Sequence, residues 1–169
     1  ELVSALDGNW PKVEAVLFDK IKSKAAESKP ATIGDVNQAA RDEDVVVAAA
    51  GSVPGDLHKL WRARRPNTYH VEYGYSCMGY EIAGGLGVRM ADPSRDVYVL
   101  VGDGSYLMMA QEIVTSVQEG FKLIIVLLDS QGYASIGGLS RSIGSGGFGT
   151  QYPPLPVDLA ANAASLGAI

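Results

Sequence analysis

The chain has 169 residues, 47% of them hydrophobic, which is enough for one domain with a substantial core and too few for two generous ones. Its 19 acidic and 14 basic side chains give a net charge of -5, removing the usual electrostatic drive toward nucleic acid or an anionic membrane, so small molecules are the expected partners. The single cysteine, Cys77, excludes an intrachain disulfide, and nothing resembles a secretory signal or an apolar span of transmembrane length, so a reducing, cytoplasmic setting is expected.

Between Trp10 and Ala26, Val13, Val16, Leu17 and Ile21 recur at helical spacing, with Pro11 tolerated in the first turn. An amphipathic helix is expected there, and residues 1–30 read as a lead-in from an upstream domain. Glu27-Ser28-Lys29-Pro30 interrupts the pattern, and Thr32-x-x-Asp35 predicts the capped start of a second helix running to Ala40. The core domain is expected over 31–169. Because the chain opens on Glu1 and closes on Leu166-Gly167-Ala168-Ile169, which reads like the approach to another strand, it is expected to be a piece of something longer.

Three continuous apolar runs follow: Val45 to Ala50, Val97 to Val101 and Leu123 to Leu128. None alternates strictly with polar residues, the pattern of strands buried on both faces in a parallel sheet. The segments Asp56 to Trp61, Met78 to Met90 and Met108 to Gln118 read as helices, the last closed by Gly120 as a C-cap. Strands alternating with helices predict an α/β fold, an open parallel sheet flanked by helices on both faces with right-handed crossovers.

Each run ends in a small or polar loop: Gly51-Ser52, Gly102-Asp103-Gly104-Ser105 and Asp129-Ser130-Gln131-Gly132. Ligands of open parallel sheets bind outside the carboxyl ends of the strands, so these loops define one candidate site. Asp103, between Gly102 and Gly104, can bring its carboxylate and nearby N–H groups close to an anion, and Ser105 adds a hydroxyl. A hard divalent cation such as Mg²⁺ takes about six oxygen ligands. The Asp103 carboxylate, the Ser130 hydroxyl and the Gly132 carbonyl can supply three, leaving room for phosphate oxygens and water. Asp-Gly alone is also a common tight turn. Here it follows a buried run and has a matching partner loop.

Asp103 and Ser130 stand 27 positions apart with a helix and a strand between them. This arrangement resembles the metal and cofactor motif of the thiamine diphosphate enzymes, in which Gly-Asp-Gly is followed at this distance by one or two asparagines. Ser130-Gln131-Gly132-Tyr133 resembles that family's Asn-x-Gly-Tyr segment, with serine in place of the metal-binding asparagine. The resemblance implies thiamine diphosphate and Mg²⁺ as cofactors, with Asp103, Ser130 and Gly132 on the metal and Tyr133 beside the cofactor. Tyr75-Ser76-Cys77-Met78-Gly79-Tyr80 resembles the stretch where a backbone carbonyl, here of Ser76, receives the aminopyrimidine amino group. Met78 is then the bulky apolar residue that bends the cofactor, although on position alone it is also an ordinary core methionine. Gly51-Ser52 occupies the place where such folds contact the terminal phosphate.

Glu72 through Gly84, Gly102 through Gly120 and Gly132 through Ser140 are similar to the trihydroxycyclohexane-1,2-dione hydrolase family of myo-inositol catabolism, a likeness running from about Val45 to the end of the chain. It implies the cofactor-binding domain of an enzyme that opens a cyclic diketone by C–C hydrolysis to 5-deoxy-glucuronate. It also implies a small-molecule substrate, a homo-oligomer, and a separate pyrimidine-binding domain, usually of the neighbouring subunit, that supplies the activating glutamate. No residue here matches that glutamate, so no catalytic acid or base is assigned to this chain. Carboligases or decarboxylases of the acetolactate synthase or glyoxylate carboligase type share the metal motif, and Ser130 leaves open a non-catalytic domain of the same fold.

His70, ahead of the cofactor stretch, is either a substrate-facing acid or base or a structural strand-end histidine. His58 lies on a charged helix. Lys59, Arg62, Arg64 and Arg65 beside Trp61 read as a solvated helix end, since the chain is acidic and carries no nucleic-acid motif. Cys77 is expected to be a buried, inert thiol. The glycine-rich segment from Gly137 to Gly149, a mobile cover over the site or a flexible loop, is expected to be a loop that orders when cofactor and partner domain are present.

Overall fold

Val45–Ala48 (β1), Val97–Gly102 (β3) and Ile124–Leu128 (β4) arise from the three apolar runs, and their side chains are almost all buried. The computed structural model, which describes residues 29–152 and 157–169, adds the short edge strand Tyr69–Val71 (β2). Every pairing is parallel and the order is β2-β1-β3-β4, with Val46 between Tyr69 and Tyr98 and Leu100 beside Val126. The helices are α1 (Lys29–Ala39), α2 (Val53–Leu60), α3 (Tyr80–Ala91), α4 (Asp103–Met109), α5 (Glu112–Gln118), α6 (Ala134–Ser142) and α7 (Leu159–Ser165).

Because side chains alternate along each strand, the sheet feeds two cores. On one face Ile33 and Val36 of α1 and Leu57 of α2 pack on Val46, Ala48, Leu100 and Val126. On the other, Ile82 and Leu86 of α3, Tyr106 of α4, Ile113 of α5 and Leu159 of α7 cover Val47, Val99, Val101 and Leu127. Each Val, Leu or Ile side chain among them contributes roughly 1.5–3 kcal/mol on burial. This is the expected α/β architecture, with helices on both faces of a parallel sheet. Gly85 lets α3 lie close to β3, since a methyl group there would overlap the Val99 side chain.

Several boundaries differ from the expected ones. Thr32, which is buried, and Asp35 lie inside α1 rather than at its cap. The helix expected at Met108 starts at Asp103, because the fully buried Tyr106 draws the Gly-Asp-Gly-Ser turn into helical form, and it breaks at Ala110-Gln111 before α5. Gly120, at φ +70°, follows α5 as expected, with the Phe121 N–H donating to the Ser116 carbonyl. Much of the segment expected as a glycine-rich loop is helical, since α6 runs to Ser142. The helix expected from Trp10 to Ala26 lies outside the described residues. Among those described, no helix is long and apolar enough to cross a membrane.

The basic cluster is only partly a solvated helix end. Arg64 donates to the carbonyls of Ala40 at 2.9 Å and Asn37 at 3.1 Å, satisfying acceptors at the end of α1.

Candidate functional site

The chain leaves β1 toward α2 on one face of the sheet and leaves β3 toward α4 on the other. A crevice opens where adjacent strands diverge in this way, and the cleft found there measures about 360 Å³. It is lined by all eleven residues singled out in the sequence: Gly51 and Ser52 after β1, Ser76 and Met78 before α3, Gly102, Asp103, Gly104 and Ser105 at the start of α4, and Ser130, Gly132 and Tyr133 after β4. Among the described residues that line it, Asp103 is the one charged side chain and there is no Lys, Arg or His.

Asp103 is 1% exposed. Its Oδ2 accepts the Gly132 N–H at 2.8 Å, and its Oδ1 lies 3.0 Å from the Ser130 hydroxyl, itself 3.0 Å from the Gly132 carbonyl oxygen. Ser130 has one hydroxyl hydrogen for these two acceptors. Such a gathering of oxygens with few protons suits a hard cation. Neighbouring ligands about 2.1 Å from an octahedral Mg²⁺ lie about 3 Å apart, the spacing that Ser130 shows to both partners.

The walls above this cluster are apolar. The Tyr133 ring and the Met78 methyl group converge on Gly104, where an added methyl would meet them at 2.7 Å and 3.4 Å. Behind the cluster the chain folds back. Gly132 forms an antiparallel bridge with Gln151, and the Tyr133 N–H donates to the Thr150 carbonyl at 2.8 Å. Gly132 sits at φ +141°, and a Cβ there would lie 2.5 Å from the Thr150 oxygen. Tyr152 packs edge-on against Tyr133. Its buried hydroxyl has no hydrogen-bond partner among the described residues, and burial, reinforced by the Asp103 charge, pushes its phenol up to about 12.

The wall before α3 is held by Glu72. Its carboxylate accepts the N–H groups of Tyr75 at 3.0 Å and Cys77 at 2.9 Å, on either side of Ser76, which adopts the left-handed φ of +54°. Such a conformation in a non-glycine residue costs on the order of 1–3 kcal/mol and persists where surrounding contacts enforce it. Cys77 is exposed, not buried as expected, because this loop stands out beyond the carboxyl edge of the sheet and nothing described covers it. His70 does not line the cleft; its Nε2 lies 2.6 Å from the Tyr80 hydroxyl and the two rings stack, the structural role.

The sequence reading missed Glu81. An acid in the first turn of a helix ordinarily faces water and complements the helix dipole. This one is 1% exposed and accepts hydrogen bonds from Ala50, Gly79 and Ser105. The Ser105 hydroxyl is thus directed at Glu81 at 2.7 Å, while the residue lines the cleft.

The chain matches known proteins in sequence and in fold. Residues 49–169 match the model of the thiamine pyrophosphate enzymes' C-terminal, cofactor-binding domain. The chain is 45% identical, over 99% of its length, to a 3D-(3,5/4)-trihydroxycyclohexane-1,2-dione hydrolase of Bacillus thuringiensis. It is equally identical over 83% of its length to proteins of that name from Bacillus cereus and Bacillus anthracis. It spans 27% of the first of these relatives and 24% of the other two. A solved structure from Mycobacterium smegmatis, assigned as thiamin diphosphate-dependent, superposes with a TM-score of 0.67 at 22% identity, over 83% of this chain and 25% of that one. At that identity the likeness speaks for the fold. On the match over residues 49–169, the chain belongs to the thiamine pyrophosphate enzymes, as their C-terminal cofactor-binding domain.

Proposed function

We propose that this chain is the diphosphate-binding domain of a thiamine diphosphate- and Mg²⁺-dependent hydrolase that cleaves a C–C bond of 3D-trihydroxycyclohexane-1,2-dione to give 5-deoxy-glucuronate in inositol catabolism. One observation carries the cofactor part: Asp103, Ser130 and Gly132 present oxygens at mutual contact in a cleft lined, among the described residues, by no basic side chain. A diphosphate entering such a cleft must bring its own cation. The substrate part is supported by 45% identity over 99% of the chain to a protein named for that reaction.

In this reading Asp103, Ser130 and the Gly132 carbonyl hold the metal. Gly51, Ser52, Gly102 and Gly104 offer backbone at the diphosphate, and Ser105 contributes through its backbone because its hydroxyl serves Glu81. The Ser76 carbonyl receives the aminopyrimidine amino group, while Met78 and Tyr133 shape the bend and exclude water. When bound, the cofactor supplies a thiazolium carbon able to attack a ring carbonyl and store the electron pair freed as the C–C bond breaks.

Residues 31–169 form this domain and 1–30 lead into it. The activating glutamate belongs to a pyrimidine-binding domain, contributed by a neighbouring subunit of a cytoplasmic homo-oligomer, so this chain alone does not turn over. Incubating the full-length protein with the cyclic dione, cofactor and Mg²⁺ is expected to yield 5-deoxy-glucuronate. A ligated or decarboxylated product in its place assigns the carboligase class. Failure of calorimetry to detect Mg²⁺-dependent cofactor binding to the full-length protein would count against the whole reading.

A further inference from the structure

Glu81 is as buried as Asp103 and, among the described residues, forms no ion pair. A carboxylate in that position persists only where hydrogen bonds replace its water, assisted here by the N-terminus of α3. Oε1 accepts the Ala50 N–H at 3.2 Å. Oε2 accepts the Gly79 N–H at 3.1 Å and the Ser105 hydroxyl at 2.7 Å, and the Ser105 oxygen lies 2.7 Å from the same Gly79 nitrogen.

These donors come from three separate parts of the chain. Ala50 opens the Gly51-Ser52 loop, Gly79 closes the loop that carries Ser76 and Met78, and Ser105 closes the turn that carries Asp103. We infer that Glu81 is a positioning residue, a single carboxylate that fixes the mutual spacing of these three loops. It does not line the cleft and therefore acts through Ala50, Gly79 and Ser105. The inference rests on the reading that the cleft takes thiamine diphosphate with Mg²⁺.

The carboxylate matters because both oxygens must accept. In Glu81→Gln the amide NH₂ must face either the Ala50 N–H, leaving that buried donor unpaired, or the Gly79 N–H and Ser105 hydroxyl, leaving Gly79 only the Ser105 oxygen and the Ser105 hydroxyl without its acceptor. The loops then lose their common anchor while the rest of the sheet keeps its packing.

The test uses the full-length protein, its Glu81→Gln and Ser105→Ala variants and the double variant, with two measurements. The first is hydrogen exchange at Ala50 and Gly79 without cofactor. Glu81→Gln is expected to speed exchange at Ala50 or at Gly79, according to the side the amide NH₂ takes, and Ser105→Ala at Gly79, with β3 and β4 amides unchanged. The second is the Kd for thiamine diphosphate at saturating Mg²⁺, taken on protein shown by thermal melting to be folded. It is expected to rise roughly tenfold or more for Glu81→Gln and less for Ser105→Ala, with the double variant no weaker than Glu81→Gln alone.

Faster exchange throughout the domain with an unchanged Kd for the folded protein would overturn the positioning role, since stability alone behaves that way. Unchanged local exchange together with unchanged Kd would overturn it too. Should Glu81→Gln not fold, Ser105→Ala decides on the same two measurements. Absence of cofactor binding in the unmodified protein refutes the cofactor reading instead, and hydrogen exchange still judges the three-loop anchor.

Discussion

The Ser130 hydroxyl sits 3.0 Å from Oδ1 of Asp103, across 27 residues of chain, so the loops after β3 and β4 meet oxygen to oxygen. Replacing Asp103 with Asn keeps the shape and removes the charge. Calorimetry is expected to show at least a hundredfold loss of Mg²⁺-supported cofactor affinity. Ser130→Ala removes one neutral ligand and should raise the Mg²⁺ concentration for half-saturation about tenfold, with little effect at saturating metal. Equal Mg²⁺ requirements in Ser130→Ala and the unmodified protein would remove Ser130 from the metal.

Because no Lys, Arg or His among the described residues lines the cleft, chelation should abolish cofactor binding rather than weaken it. Adding EDTA to the loaded protein and then filtering it is expected to release all the cofactor. Retention of even half of it would mean that a basic group outside the described residues holds the diphosphate.

Gly132→Ala is expected to damage both fold and site. The new methyl would lie 2.5 Å from the Thr150 carbonyl oxygen on a backbone at φ +141°, and neither the bridge to Gln151 nor the contact with Asp103 leaves room to move. A loss of roughly 1–3 kcal/mol is expected from chemical denaturation. Cofactor affinity should fall with it, whereas Gly138→Ala, with open space around it, should be nearly silent.

Acid should loosen the wall around Ser76 in a predictable window. The N–H groups of Tyr75 and Cys77 hold the Glu72 carboxyl below the ordinary glutamate range. A value depressed in the folded loop means that the anchoring is complete above the unfolded value of about 4.3 and is lost as pH falls through the folded one. The Tyr75 and Cys77 amide resonances should therefore titrate with a midpoint below about 4.3, and Glu72→Gln should erase that titration. A midpoint above it would contradict the anchoring.

The centre of the fold was legible because strands buried on both faces must be apolar throughout, as Val45, Val97 and Ile124 and their successors are. The edge strand was not, because Tyr69–Val71 is short, half-buried and has His70 in its middle. The eleven nominated residues could be placed together because loops at the carboxyl ends of parallel strands share one edge of the sheet. Glu81 was missed and Cys77 misjudged for opposite reasons. The burial of Glu81 depends on Ala50 and Ser105, 31 and 24 residues away, and the exposure of Cys77 depends on a loop leaving the sheet. Neither distance is written in local pattern.

Gly85 has no side chain to offer chemistry, yet it lies one turn beyond Glu81 on the same side of α3, against Val99. The helix can ride low on the sheet there, and that height sets how far the acid must reach to Ala50. The dimensions of the polar site are thus partly stored as a missing methyl in an apolar layer. A screen for lost function should therefore find positions such as Gly85 among its hits, behaving like site residues while touching nothing that reacts.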